Sequence, residues 1–354
     1  MGSVIDWQFA ERVAARSSDR HPAPDAATMA ALQASYAELT SDAERYVSEE
    51  TGLEPVGRAR ARVTDRPGWV AANVRSFERL LQPLTDKLAG AEPSRFQPLM
   101  GKAGGAQFGL LLGWMSGRVL GQYDILVVED ADQLDQDLVY YVGPNLLGME
   151  RRHAFPPEEF RLWVALHECT HRAQFTGVPW LRPYFISQVH ELLGTVEPDG
   201  GRLVESMRRA LADVRSGHRS LDRGGLDALF ATPQQQEVLD RLGGLMSLLE
   251  GHGEVVMNRA ATRLVPTAWR FERVLKARRE AAGGLNRLLN RLLGFEAKLA
   301  QYAEGERFIT AVERQGGRVL FDTVWEGPDR LPTLAEIRSP QRWIDRVTGT
   351  GPAV

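Results

Sequence analysis

The stretch that constrains this chain most is Trp163-Val-Ala-Leu-His-Glu-Cys-Thr-His-Arg-Ala-Gln-Phe175. It contains His167-Glu168-Cys169-Thr170-His171, an H-E-x-x-H pattern. Pro156-Pro-Glu-Glu159 precedes it with the prolines and acids that favour a helix start, and Gly177 and Pro179 close it. A helix turns about 100° per residue, so histidines four apart sit roughly 40° apart on one face. Both imidazoles can then reach one Zn²⁺, with Glu168 placed to act as general base on a zinc-bound water. Two ordinary histidines on a half-buried helix give the same letters, so the pattern needs a third ligand to become a site.

The longer H-E-x-x-H-x-x-G-x-x-H form does not supply it, because its glycine position is Gln174 and its third histidine position is Gly177. A carboxylate from a later helix is the common alternative. Glu250, in Leu248-Leu-Glu-Gly-His-Gly-Glu-Val-Val-Met257, is the leading candidate. Glu254 shares its face and suits a role behind a ligand histidine. Gly251 and Gly253 weaken that helix unless another backbone comes close, and the H-E-x-x-H helix is the expected neighbour. His252 lies about 200° around from Glu250, so the two do not share a metal on a regular helix. His190 and Glu191 compete for the third position, being nearer in sequence to His171. Tyr184, His190, His252 and Tyr302 are candidates to donate to a developing oxyanion. Cys169 reads as a small buried residue, since no histidine is placed to activate it.

Composition narrows the alternatives. The 354 residues are 43% hydrophobic and 25% charged, with a formal net charge of −3, an ordinary globular balance. No basic stripe points to nucleic acid. The single cysteine excludes an intramolecular disulfide and cysteine-based zinc sites, so a metal must be held by histidine and carboxylate. Residues 1–10 lack a signal-peptide pattern, and no run of roughly 20 apolar residues is present to span a bilayer. The expected location is cytoplasmic, without a membrane partner.

Helical periodicity covers most of the chain. Helices are expected over about 4–16, 26–51, 69–84, 183–194, 201–215, 233–262, 267–279, 285–303 and 305–315. Gly101, Gly105, Gly109, Gly113, Gly117 and Gly121 recur every fourth residue. Each interior glycine costs about 1 kcal/mol relative to alanine, so another backbone should pack on the stripe. Membrane dimerisation faces use this spacing; Arg118 and the short apolar run favour a buried core helix over a span or an oligomer contact. Gln122–Val128 and Asp137–Val142 read as strands. Arg318–Trp325 fits a strand or an apolar helix, and Leu331-Pro-Thr-Leu-Ala-Glu336 reads as a capped helix start. The expected fold is mainly α with a small β element. It reads as one domain over 1–354, with two lobes at about 1–180 and 181–354 as the subdivision.

The chain resembles a family of actinobacterial zinc-dependent metalloproteases, or hydrolases, linked to deazaflavin coenzyme biosynthesis. The likeness runs from about Ile5 to Trp343. It is most specific at Asp65–Phe77, Gly117–Asp124, His167–Phe175, Leu249–Glu254, and Lys298–Tyr302 with Gly305. It implies a zincin-like metallopeptidase fold with a zinc cofactor. It supports His167, Glu168 and His171, and favours the Glu250 segment over Glu191. Asn258 stands where the family tends to carry an acidic residue, which leaves Glu254 to orient a ligand. The expected function is a zinc hydrolase acting on a peptide or amide bond. The alternative is an inactive zincin-fold binding or scaffold protein, which would have no need of Glu168. No G-x-G-x-x-G or P-loop suggests direct binding of a deazaflavin cofactor.

Overall fold

Local chemistry sets the helix ends. In the computed structural model, which describes residues 5–18, 24–89, 97–125, 137–195, 233–261, 263–280 and 295–349, α1 spans Trp7–Ser18 and α2 spans Ala26–Thr51. Asp25 caps α2 by accepting the Thr28 N–H at 2.7 Å, and Gly52 ends it with φ 67°, a conformation that glycine adopts without penalty. α3, Arg66–Leu80, repeats the scheme with Asp65 accepting the Gly68 N–H at 2.8 Å. α4 (Gln82–Ala89) and α5 (Gln97–Ser116) follow, then α6 (Gly143–His153), α7 (Pro157–Gly177) and α8 (Leu181–Gly194). Later come α9 (Pro233–Ala261), α10 (Ala268–Glu280), α11 (Phe295–Asp322), α12 (Leu334–Arg338) and α13 (Pro340–Thr348). The described residues are mainly helical, with one small mixed sheet. The helix expected at 201–215 and most of that at 285–303 fall outside the described residues.

The chain divides into two compact units, Met1–Arg182 with Val256–Arg273, and Pro183–Val255 with Val274–Val354. The first holds the sheet, in the order β1-β3-β2. β3 (Leu138–Val142) is buried at every residue and pairs parallel with β1 (Arg60–Thr64) and antiparallel with β2 (Gly121–Tyr123). The sequence shows β3 but not β1, whose arginines break the apolar signal. The Gln33 side chain of α2 completes β1 by donating to the Ala61 carbonyl at 3.0 Å and accepting the Val63 N–H at 2.7 Å. The strand expected at 122–128 starts one residue earlier and pairs only to Tyr123; residues 126–136 are outside the described set.

The glycine stripe meets α1. A Cβ at Gly105 would stand 2.5 Å from the Asp6 carbonyl oxygen, and one at Gly109 would overlap that of Ala10. The helices therefore touch backbone to backbone. Around them Ala14, Trp69, Val70, Val74, Leu112 and Val142 form a buried apolar cluster, joined by Trp7, Phe77 and Phe108.

In the second unit, Gly251 of α9 has its close neighbour on α11: a Cβ there would overlap Gly305. The expectation that the H-E-x-x-H helix is the backbone approached at Gly251 is corrected by this contact. The reason is reciprocal geometry, since a Cβ at Gly305 would in turn overlap the Ser247 carbonyl oxygen. Replacing Gly305 by alanine should force these helices apart and lower stability by about 1–3 kcal/mol, read as a lower urea midpoint with an unchanged slope. α11 runs on through 318–322 as helix, with a break at Gly317 (φ 68°), and Thr323–Trp325 is a 3₁₀ turn. The helix start expected near 331–336 carries a capping box between Thr333 and Glu336. Among the described residues no helix is long and apolar enough to cross a membrane.

Candidate metal centre

The helix that carries the motif is fixed along its length. Near its start, Phe160 and Trp163 pack with Phe155 and Phe271, and Glu159 accepts both the N–H and the hydroxyl of Thr267, at 2.9 and 2.7 Å. Its middle lies against α2, where the Cys169 thiol faces the Thr40 carbonyl at 3.6 Å. Burial pushes the Cys169 thiol far above its usual range, so it stays protonated and inert, as its place in the sequence suggests. Beyond the motif, Arg172 is 1% exposed. Its guanidinium donates to both carboxylate oxygens of Asp137, to Glu44 and, at 2.8 Å, to the Val56 carbonyl.

These supports leave His167 and His171 with their Nε2 atoms 3.3 Å apart and their rings near perpendicular. Two ligands at about 2.0–2.1 Å from a tetrahedral zinc are separated by about 3.3 Å, so the pair already has the spacing of one edge of that tetrahedron. The opposite ring nitrogens are engaged elsewhere. His171 Nδ1 is 3.0 Å from Gln174 Oε1, and His167 Nδ1 is 3.2 Å from the Met257 sulfur. Met257 is on α9, and Glu250, seven residues earlier on the same unbroken helix, is on the same face to within about 20°. One donor atom from each of His167, His171 and Glu250 lies within 4.8 Å of the others. Two imidazoles and a carboxylate form a donor set suited to a first-row divalent ion, zinc included.

Glu168 lies beside this group on the next helical position and is buried. Its Oε2 accepts the Tyr123 N–H of β2 at 3.0 Å. Gly121 makes room for it, since a Cβ there would come within 2.7 Å of Glu168 Cγ. From the far side, α3 holds β2 in place. Trp69 Nε1 donates to Gln122 Oε1 at 2.7 Å, Gln122 donates to Asn73 at 3.0 Å, and Ser76 donates to Asp124 at 3.0 Å. The Asp65–Phe77 and Gly117–Asp124 stretches thus converge on the strand that seats the carboxylate.

Glu191 pairs with Arg241 at 2.9 Å. His252 is buried with its ring against Phe321 and Trp325. Glu254 and His190 are half-buried, and Tyr184 is half-buried with its hydroxyl pKa raised by burial. Tyr302 lies on α11, and its side chain is outside the described set. Sequence reasoning overlooked Gln174, Met257 and Gly121. Gly121 left a trace as the last member of the four-residue glycine repeat, and Gln174 as the unmatched glycine position of the longer motif.

The comparisons agree with this geometry. A family model described as zincin-like metallopeptidase matches residues 5–344, and the chain belongs to that family. A crystal structure from Chloroflexus aurantiacus, of "a putative hydrolase with a novel fold", is similar at 30% identity and a TM-score of 0.72, covering 98% of this chain and all of that one. No curated protein matches.

Proposed function

We propose that the chain is a zinc-dependent hydrolase of peptide or amide bonds, in which His167, His171 and Glu250 hold the ion and Glu168 is the general base. The observation that carries this reading is the 3.3 Å separation of the two Nε2 atoms, with Glu168 the residue after His167 on the same helix. A bound zinc would supply a water of lowered pKa and positive charge at the substrate carbonyl oxygen. The residues supply the rest. The Tyr123 N–H engages Glu168 Oε2 and fixes the carboxylate, which is assigned to proton transfer. Glu168 accepts the proton of the attacking water and delivers it to the leaving amine. Glu254, on the same helix as Glu250, is assigned to the ligands' outer support.

Metal per chain, measured by elemental analysis after equilibration with zinc and desalting, tests the ligand set. Wild type should carry one zinc, His167→Ala and Glu250→Ala much less, and Glu191→Ala one. Loss of zinc from Glu191→Ala with retention in Glu250→Ala would reassign the third ligand. A broad peptide library then tests the activity. Full zinc with no cleavage would favour a binding or scaffold protein.

A further inference from the structure

We propose that Gln174 is a positioning residue that makes His171 a single-atom, Nε2 ligand. The inference rests on the metal reading above but is testable without it. Gln174 is fully buried on α7, with Oε1 3.0 Å from His171 Nδ1. An amide oxygen can only accept, so Nδ1 must carry the ring hydrogen, and Nε2 then presents its lone pair. The partner ring is set in the same way, because the Met257 thioether 3.2 Å from His167 Nδ1 is also an acceptor. Both lone pairs therefore point at the place where the Nε2 atoms approach to 3.3 Å.

The chemistry of these partners has a direction. Ligand histidines usually donate to a carboxylate, a backbone carbonyl or water, and a carboxylate raises the basicity of the ring. Here Nδ1 of His171 meets an amide oxygen and that of His167 a thioether, so the direction of each ring is set at Nδ1. Gln174 occupies the glycine position of the longer zinc-protease pattern. In this chain that position holds the ligand's hydrogen-bond partner.

Two variants separate orientation from packing. Gln174→Leu substitutes an apolar side chain of similar volume and removes the acceptor; Gln174→Glu keeps the shape and strengthens it. In the metal-free protein, ¹⁵N-histidine spectra at a pH where the rings are neutral should show His171 as the Nδ1–H tautomer in wild type and a tautomer mixture in Gln174→Leu. In chelator competition, Gln174→Leu should bind zinc about 10–100-fold more weakly, and Gln174→Glu at least as tightly as wild type. The proposal is overturned if Gln174→Leu keeps both the tautomer and the affinity, or if both variants lose affinity equally, which would mean packing alone. A wild type that binds no zinc yet shows the tautomer change would remove the hydrolase reading and leave the positioning role standing.

Discussion

Glu168→Gln should lower turnover of any peptide the wild type cleaves by about 10²–10⁴-fold, the usual contribution of a general base, and leave one zinc per chain. The two parts of this result have separate causes. Glutamine matches glutamate in shape, and its amide oxygen can still accept the Tyr123 N–H that Glu168 Oε2 accepts at 3.0 Å. The strand seat beside Gly121 is therefore kept. What disappears is a group able to hold a proton at neutral pH. The proposed ligands are His167, His171 and Glu250, so zinc binding should not depend on residue 168. Zinc loss from this variant would show that Glu168 is itself a ligand. Undiminished turnover would remove it from the reaction altogether.

The second large effect is on stability. Arg172→Met should destabilise the protein by about 3 kcal/mol, toward the lower end of the cost of breaking a buried ion pair. The arginine is 1% exposed, while Glu44 and Asp137 keep side-chain exposures of 19% and 22%, which moderates the penalty. Methionine fills much of the volume but leaves two carboxylates facing the vacated position. Glu44 also accepts the Ala59 N–H at 3.0 Å, so one guanidinium ties together α2, the segment before β1 and the start of β3. Urea denaturation should show the loss in Arg172→Met. The triple variant that adds Glu44→Gln and Asp137→Asn should recover most of it, because the uncompensated charge is gone. No recovery would mean that the hydrogen bonds to the backbone, and not the charge, carry the effect.

How much of this could be read from sequence depends on whether a signal is local. His167, Glu168 and His171 lie within one helical turn and a half, so their common neighbourhood follows from helix geometry. The caps at Asp25, Asp65 and Thr333 are equally local, and so is the helical character of most of the chain. β1 was invisible because Arg60 and Arg62 break its pattern; its existence depends on β3 and on Gln33 of α2. The neighbour of Gly251 could not be read from spacing, since a glycine records that a backbone is close but not which one. Gln174 looked like a failed motif position, because its partner is a ring nitrogen whose direction only the folded helix fixes. Arg172 gave no sign of being a junction, since Glu44, Val56 and Asp137 are brought to it by three separate segments.

The backbone fit between α1 and α5 has one more consequence. The slot at Gly105 and Gly109 accepts a helix by its bare carbonyl edge, and α1 reaches it across about ninety residues of intervening sequence. The fit thus closes the chain on itself early in its sequence, and a side chain at Gly105 or Gly109 would pry that closure open.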